Sequence, residues 1–159
     1  MIKNKLLNII LIILILSCKY NYTNNSNKKK SMRFHNNLVL LLYPIGCNDE
    51  SCISYKISIK KNEYRINGTY YLNYSSKKKF KIISKHEIEE LDSLIQNIKN
   101  PYIERTNACD VWSARLIVNG KTVFEQDDFS FETAPEPFKK IIKKIIKLSP
   151  LEIKLYGFS

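Results

Sequence analysis

The chain has 159 residues, 44% of them hydrophobic, with four glycines, four cysteines and a formal net charge of +11 at pH 7. Such a length supports one domain with one core, and four glycines leave little room for a glycine-rich phosphate loop. Lys far outnumbers Arg, as A/T-rich coding produces, and much of the charge falls outside the patterned region. The basic balance therefore does not point to nucleic acid, and no nucleic-acid partner is expected.

The chain opens with Lys3 and Lys5, followed by an almost unbroken apolar run from Leu6 to Leu16. About eleven residues make a helix of roughly 16 Å, half of a ~30 Å hydrocarbon core, so a cleavable segment is a stronger reading than a spanning helix. Ile15, Leu16, Ser17 and Cys18 then end the hydrophobicity abruptly. This pattern resembles the lipobox of bacterial lipoproteins, with a branched aliphatic at −3 and a small residue at −1; Leu16 is bulkier than the usual −2 residue. The alternative is an ordinary secretory signal with a chance cysteine. The resemblance implies that residues 1–17 are a signal peptide and that Cys18 is acylated, palmitate included, to become the first mature residue. Several acyl chains would hold the protein stably, whereas one alone binds marginally. Lys19 stands where an aspartate would mark inner-membrane retention, so the resemblance favours a periplasm-facing place on the outer membrane of a cell envelope.

Residues 18–36 comprise this cysteine and a polar, low-complexity stretch without hydrophobic periodicity, read as a disordered tether. Its average reach is about 20–25 Å. With the signal removed, 24 basic residues face 15 acidic ones; five of the basic residues lie in the tether, which leaves residues 37–159 with 19 against 15. The charge is read as solubility and attraction toward anionic headgroups.

Residues 37–159 read as a single α+β domain. Leu38 to Tyr43 is a short apolar run ahead of Pro44 and Gly46, consistent with a buried strand. Ile53, Tyr55, Ile57 and Ile59 alternate strictly through Lys60, the best strand signal in the chain. Lys61-Asn62-Glu63 turns this into Tyr64 to Ile66, and Asn67-Gly68 is a second turn candidate before Thr69 to Leu72. After Lys77 to Lys79 comes a short strand, Phe80 to Ile83. Ser84 and Glu87 match a capping box, and Ile88, Leu91, Leu94, Ile95 and Ile98 recur at helical spacing until Asn100-Pro101. Val111 to Val118 and Lys121 to Glu125 flank Asn119-Gly120 as a hairpin, with Trp112, Ala114, Leu116 and Val118 on one face. Thr133 and Glu136 form another capping-box match around Pro135, opening a helix with Phe138, Ile141, Ile142 and Ile145 as its apolar stripe. The expected fold is an antiparallel sheet with two helices packed on one face.

Three cysteines remain in the domain. Cys47 and Cys52 flank a four-residue turn, so a local disulfide is the economical pairing; Cys109 is the alternative partner for either one. A zinc site from these three and His86 lacks a second tight pair, and no metal or other cofactor is expected. Asp127-Asp128 and Asp49-Glu50 could hold a cation or act as acid and base, but loop acids are usually solvated. The only histidines, His35 and His86, lie in the tether and a helix first turn, so no catalytic residue is assigned. The five lysines of the last helix, Lys139, Lys140, Lys143, Lys144 and Lys147, read as its solvated face rather than as a membrane or acidic-partner patch.

Gly46-Cys47, Cys52-Ile-Ser-Tyr55, the strands through Gly68, the capped helix, Asp110 and the Pro-started last helix resemble a family of bacterial lipoproteins that carry a domain of unknown function. That family opens with Cys-x-Gly-x-Cys-Pro-x-Tyr; here the gap is one residue longer and Ile53 replaces the Pro. The resemblance spans Leu38 to Pro150, supports the Cys47–Cys52 pairing and adds no activity. The expected function is a membrane-anchored, non-enzymatic domain that binds an envelope component or a secreted protein. The alternative is an envelope hydrolase or inhibitor whose site lies in the loops around Cys47 to Cys52 and Asp127-Asp128.

Overall fold

A computed structural model describes residues 37–47, 52–70, 73–107 and 111–155. The signal, Cys18, the tether, Asp49-Glu50 and Cys109 lie outside the described residues.

Seven strands form one sheet: β1 (Leu38–Ile45), β2 (Ile53–Lys60), β3 (Glu63–Tyr70), β4 (Ser76–Ile82), β5 (Tyr102–Glu104), β6 (Val111–Val118) and β7 (Lys121–Gln126). Their order is β4-β3-β2-β1-β6-β7-β5. The described residues also form two helices, α1 (Lys85–Gln96) and α2 (Glu136–Lys147). Among the described residues no helix is long and apolar enough to cross a membrane.

The first strand holds the centre, antiparallel to β2 on one side and β6 on the other. Its apolar run explains the place: Leu38, Leu40 and Leu42 point into the core, while Val39 and Leu41 are half-shielded on the other face. Pairing with β2 stops at Leu42 opposite Tyr55, so Pro44 pairs only with β6 and costs no second ladder bond.

The expected antiparallel sheet requires one correction. It is mixed, because β5 joins β7 in parallel, with Tyr102 opposite Phe124. A second correction concerns Asn67-Gly68, which is not a turn: β3 runs straight through it, and Gly68 faces Tyr55 across the ladder. A Cβ at Gly68 would stand 3.3 Å from Ile53 Cγ2 and 3.4 Å from Tyr55 Cε1. A methyl there would crowd Ile53 first and touch the Tyr55 ring, whose hydroxyl accepts the Lys154 N–H at 3.1 Å. The expected hairpin turn at Asn119-Gly120 is present, with φ of 51° and 79°, the left-handed pair that a type I′ turn needs.

One hydrophobic cluster unites the sheet and both helices. Leu38, Leu40, Leu42, Tyr55, Ile57, Ile59, Tyr64, Ile66, Trp112, Ala114, Leu116 and Phe124 of the strands meet Leu91 of α1 and Phe138, Ile141, Ile142 and Ile145 of α2. Phe138 stacks on Phe124 at 4.9 Å between centroids, and the Tyr64 hydroxyl donates to the Ile145 carbonyl at 2.9 Å. Burial pushes that hydroxyl well above the usual tyrosine range.

The capping box of α1 forms in both directions: Glu87 N–H donates to Ser84 Oγ at 3.2 Å, and Ser84 N–H donates to the Glu87 carboxylate at 2.6 Å. At α2 the expected box is absent. The cap is Pro135, with no side-chain hydrogen bond to it. Thr133 is engaged elsewhere, between Ser130 Oγ and the Gln126 side-chain amide, one residue-pair too early to reach the helix.

Candidate functional site

The residues of β2 and β3 that alternate with the buried ones line a groove of the described surface. Lys56, Ser58, Glu63, Arg65 and Asn67 form its floor, and Lys78, Lys79 and Phe80 of β4 form its wall, around about 470 Å³. Period-two alternation is the cause: the same ladder that buries Ile57, Tyr64 and Ile66 turns these side chains the other way.

Phe80 pairs with Arg65, and Lys78 with Asn67. Phe80 is 73% exposed and Ile82 60% exposed, although both are residues that strands normally bury. At the hairpin joining β3 to β4, Tyr70 N–H donates to the Ser75 carbonyl and Ser75 N–H donates to Asn73 Oδ1. Tyr74 adopts φ of 50° there and is 83% exposed. Lys77 lies over the Tyr70 ring, 5.5 Å from its centroid.

The electrostatics of the groove are one-signed. Glu63 is its only acid among the described residues and is held by Arg65, through Nε at 3.0 Å and a terminal nitrogen at 2.6 Å. Lys56, Lys78 and Lys79 make no ion pair among the described residues. Asn67 donates to Thr69 at 3.4 Å, while its carbonyl oxygen is buried without a hydrogen-bond partner. The arrangement can receive negative charge beside an aromatic wall.

The carboxylates toward the opposite edge of the same sheet face are engaged differently. Glu125, 5% exposed, accepts from Arg105 at 3.0 Å and from Arg115. Burial opposes its charged form, but the hydrogen bonds from the two guanidiniums prevail and hold the carboxyl below the usual range. Asp127 accepts from Ser113 at 2.9 Å and from Thr106 N–H at 3.3 Å. The loop acid singled out in the sequence is thus taken up in pinning β6 to the segment after β5. Tyr102 donates to Glu104 at 2.6 Å, which raises its own pKa.

Cys47 and Cys52 stand at disulfide distance, 6.3 Å between Cα atoms, across the β1–β2 connection. His86 is exposed in the first turn of α1. The lysines of α2 point to partners within the fold: Lys139 and Lys140 to Glu136, Lys144 to Glu90 of α1, and Lys143 to the Phe131 ring at 5.3 Å. The site residues that sequence reasoning missed are Lys56, Arg65, Lys78 and Phe80. For Lys78 and Phe80 a signal was available in Lys77 to Ile82, where four lysines are interleaved with Phe80 and Ile82 without an acid. The chain matches no protein-family model, no curated protein and no solved structure.

Proposed function

We infer that the chain is a lipid-anchored protein of a bacterial cell envelope, cleaved after Ser17, acylated at Cys18 and tethered through residue 36. Residues 37–159 are then a non-enzymatic binding domain. In this reading both helices cover the sheet face that carries Leu40, Ile57 and Tyr64, and the opposite face of β2 to β4 meets the partner. The single observation that carries the reading is the groove lined by Lys56, Arg65, Lys78, Lys79 and Phe80, in which Glu63 is the only acid among the described residues. Its partner is an anionic component of the envelope or an acidic secreted protein, since three ammoniums without an ion pair among the described residues steer negative charge and repel positive.

Two measurements test this. Labelled fatty acid is taken up by the natural chain and not by Cys18→Ser; labelling that persists in the variant removes the anchor. A photo-crosslinking residue in place of Phe80 gives adducts with envelope material, whereas one in place of Lys121, on the β6–β7 hairpin, does not. Equal yield at the two positions removes the binding surface.

A further inference from the structure

We propose that the β3–β4 hairpin and β4, residues 73–82, form a docking edge that lies on an anionic phospholipid surface. This rests on the reading above and names the partner of that same surface.

The sheet ends at β4, so its outer backbone edge has no neighbouring strand among the described residues. Free edges invite pairing with other chains, and lysines are a common way to prevent it. Lys77, Lys79 and Lys81 would suffice for that purpose. They do not account for Tyr74, Phe80 and Ile82, three of the four large hydrophobic side chains most exposed among the described residues, all within one hairpin. An edge built only to remain single in water would not display Phe and Ile, because exposed apolar strand residues promote the pairing that lysines prevent. Aromatic and aliphatic side chains interleaved with lysine fit a membrane interface instead. The rings and Ile82 enter the boundary between headgroups and acyl chains, and the ammoniums remain at the phosphates on their flexible stems.

The charge supports the same partner. Lys77, Lys78, Lys79 and Lys81 of β4 and Lys56, Lys60, Lys61 and Arg65 beside it make this edge basic on both faces: Lys78, Lys56, Lys60 and Arg65 share the face of Phe80 with the acid Glu63, while Lys77, Lys79 and Lys81 alternate to the other face, where Lys81 acts on Glu87 of α1. Seven of these eight cations are lysines, strongly hydrated point charges without the planar fork by which arginine selects a carboxylate. No hydrogen bond among the described residues fixes the direction of the four β4 ammoniums. Such a layer suits a fluid field of phosphates better than one acidic protein surface. A tether of about 20–25 Å would also keep the lipid surface at high effective concentration.

The test uses the full chain carrying Phe80→Trp, whose other tryptophan, Trp112, is buried. It is mixed with vesicles of zwitterionic phospholipid, or of the same lipid with one quarter anionic phospholipid. The expected result is a blue shift of the introduced indole and slowed amide exchange over 76–82 with anionic vesicles only, both reversed by high salt. K77E/K78E/K79E/K81E, with the near-UV signal of Trp112 confirming the fold, weakens this response by roughly tenfold or more. A chain that floats with anionic vesicles while the introduced indole stays in water overturns the proposal, as does undiminished binding by the fourfold variant. Protection of 76–82 by polyglutamate and not by vesicles overturns it in favour of an acidic protein. The anchor is read separately, by whether Cys18→Ser abolishes attachment to zwitterionic vesicles; its failure leaves the anionic-vesicle result intact.

Discussion

Two segments of this chain are rich in lysine, and the fold treats them in opposite ways. Helix α2 carries five lysines opposite Phe138, Ile141, Ile142 and Ile145; the apolar side is buried, and four of the five lysines meet a carboxylate or a ring within the molecule. Strand β4 carries four lysines with Phe80 and Ile82, and there the apolar residues are exposed and no lysine has a carboxylate partner among the described residues. A count of positive charges ranks α2 first. What distinguishes the two is where the apolar residues between the lysines lie: in α2 they are buried and hold the fold together, and in β4 they stand exposed.

The largest effect that sharpens this contrast is truncation in α2. Ile142→Ala or Ile145→Ala should destabilise the domain by about 2–5 kcal/mol, since each empties a fully buried site. Denaturant unfolding measures it, and a loss as small as that of a surface substitution would mean that α2 is not part of the core. Gly68→Ala comes next, at about 1–2 kcal/mol, because its methyl must displace the ring of Tyr55 or the side chain of Ile53. A neutral result would show that the core side of β3 yields as freely as its groove side.

Acid gives the third effect. Glu125 and Glu90 both have folded pKa values below the usual 4.5, the first set by burial opposed and outweighed by Arg105 and Arg115, the second by its hydrogen bond from Lys144. A lowered folded value means that the carboxylate contributes stability at pH above the unfolded value and loses it as pH falls through the folded one. Stability should therefore be flat from neutral pH down to about pH 5 and decline below the usual carboxylate range. Glu125→Gln should flatten that decline, whereas K77E/K79E should leave it unchanged at the Glu125 step. A decline centred above pH 6 would contradict the assignment. The smallest effect is Phe80→Ser, expected within about 0.5 kcal/mol of the natural chain. A loss of 2 kcal/mol or more would show that Phe80 supports the fold, and the contrast with α2 would collapse.

The parts of the fold legible in the sequence are those whose cause is local. The alternation of β2 and β6, the Ser84–Glu87 box, the Asn119-Gly120 turn and the Ile stripe of α2 each follow from residues within one element. Gly68 misled because Asn-Gly is a turn signal by its own chemistry, whereas here it sits mid-strand against Ile53 and Tyr55 of the neighbouring strand. Tyr102 to Glu104 is too short to show any period, and its parallel partner lies some twenty residues on. Thr133 matched a cap by spacing, yet Gln126 and Ser130 engage it first. The groove was hidden for a related reason. Lys56, Arg65 and Lys78 are each unremarkable in their own strand, and only the β2–β3–β4 register makes them neighbours.

The central position of β1 has a kinetic consequence. Its pairing with β2 spans a short connection, but Leu38 on its other side meets Val118, eighty residues later in synthesis. Until β6 has been made and has found its place, the middle of the sheet is a two-sided strand with one side unsatisfied. Contacts of such sequence separation form late and slowly, since loop closure must precede any gain from them. The topology therefore predicts that the first strand is among the last to be completed, with amide protection in β1 rising together with that of β6 during refolding.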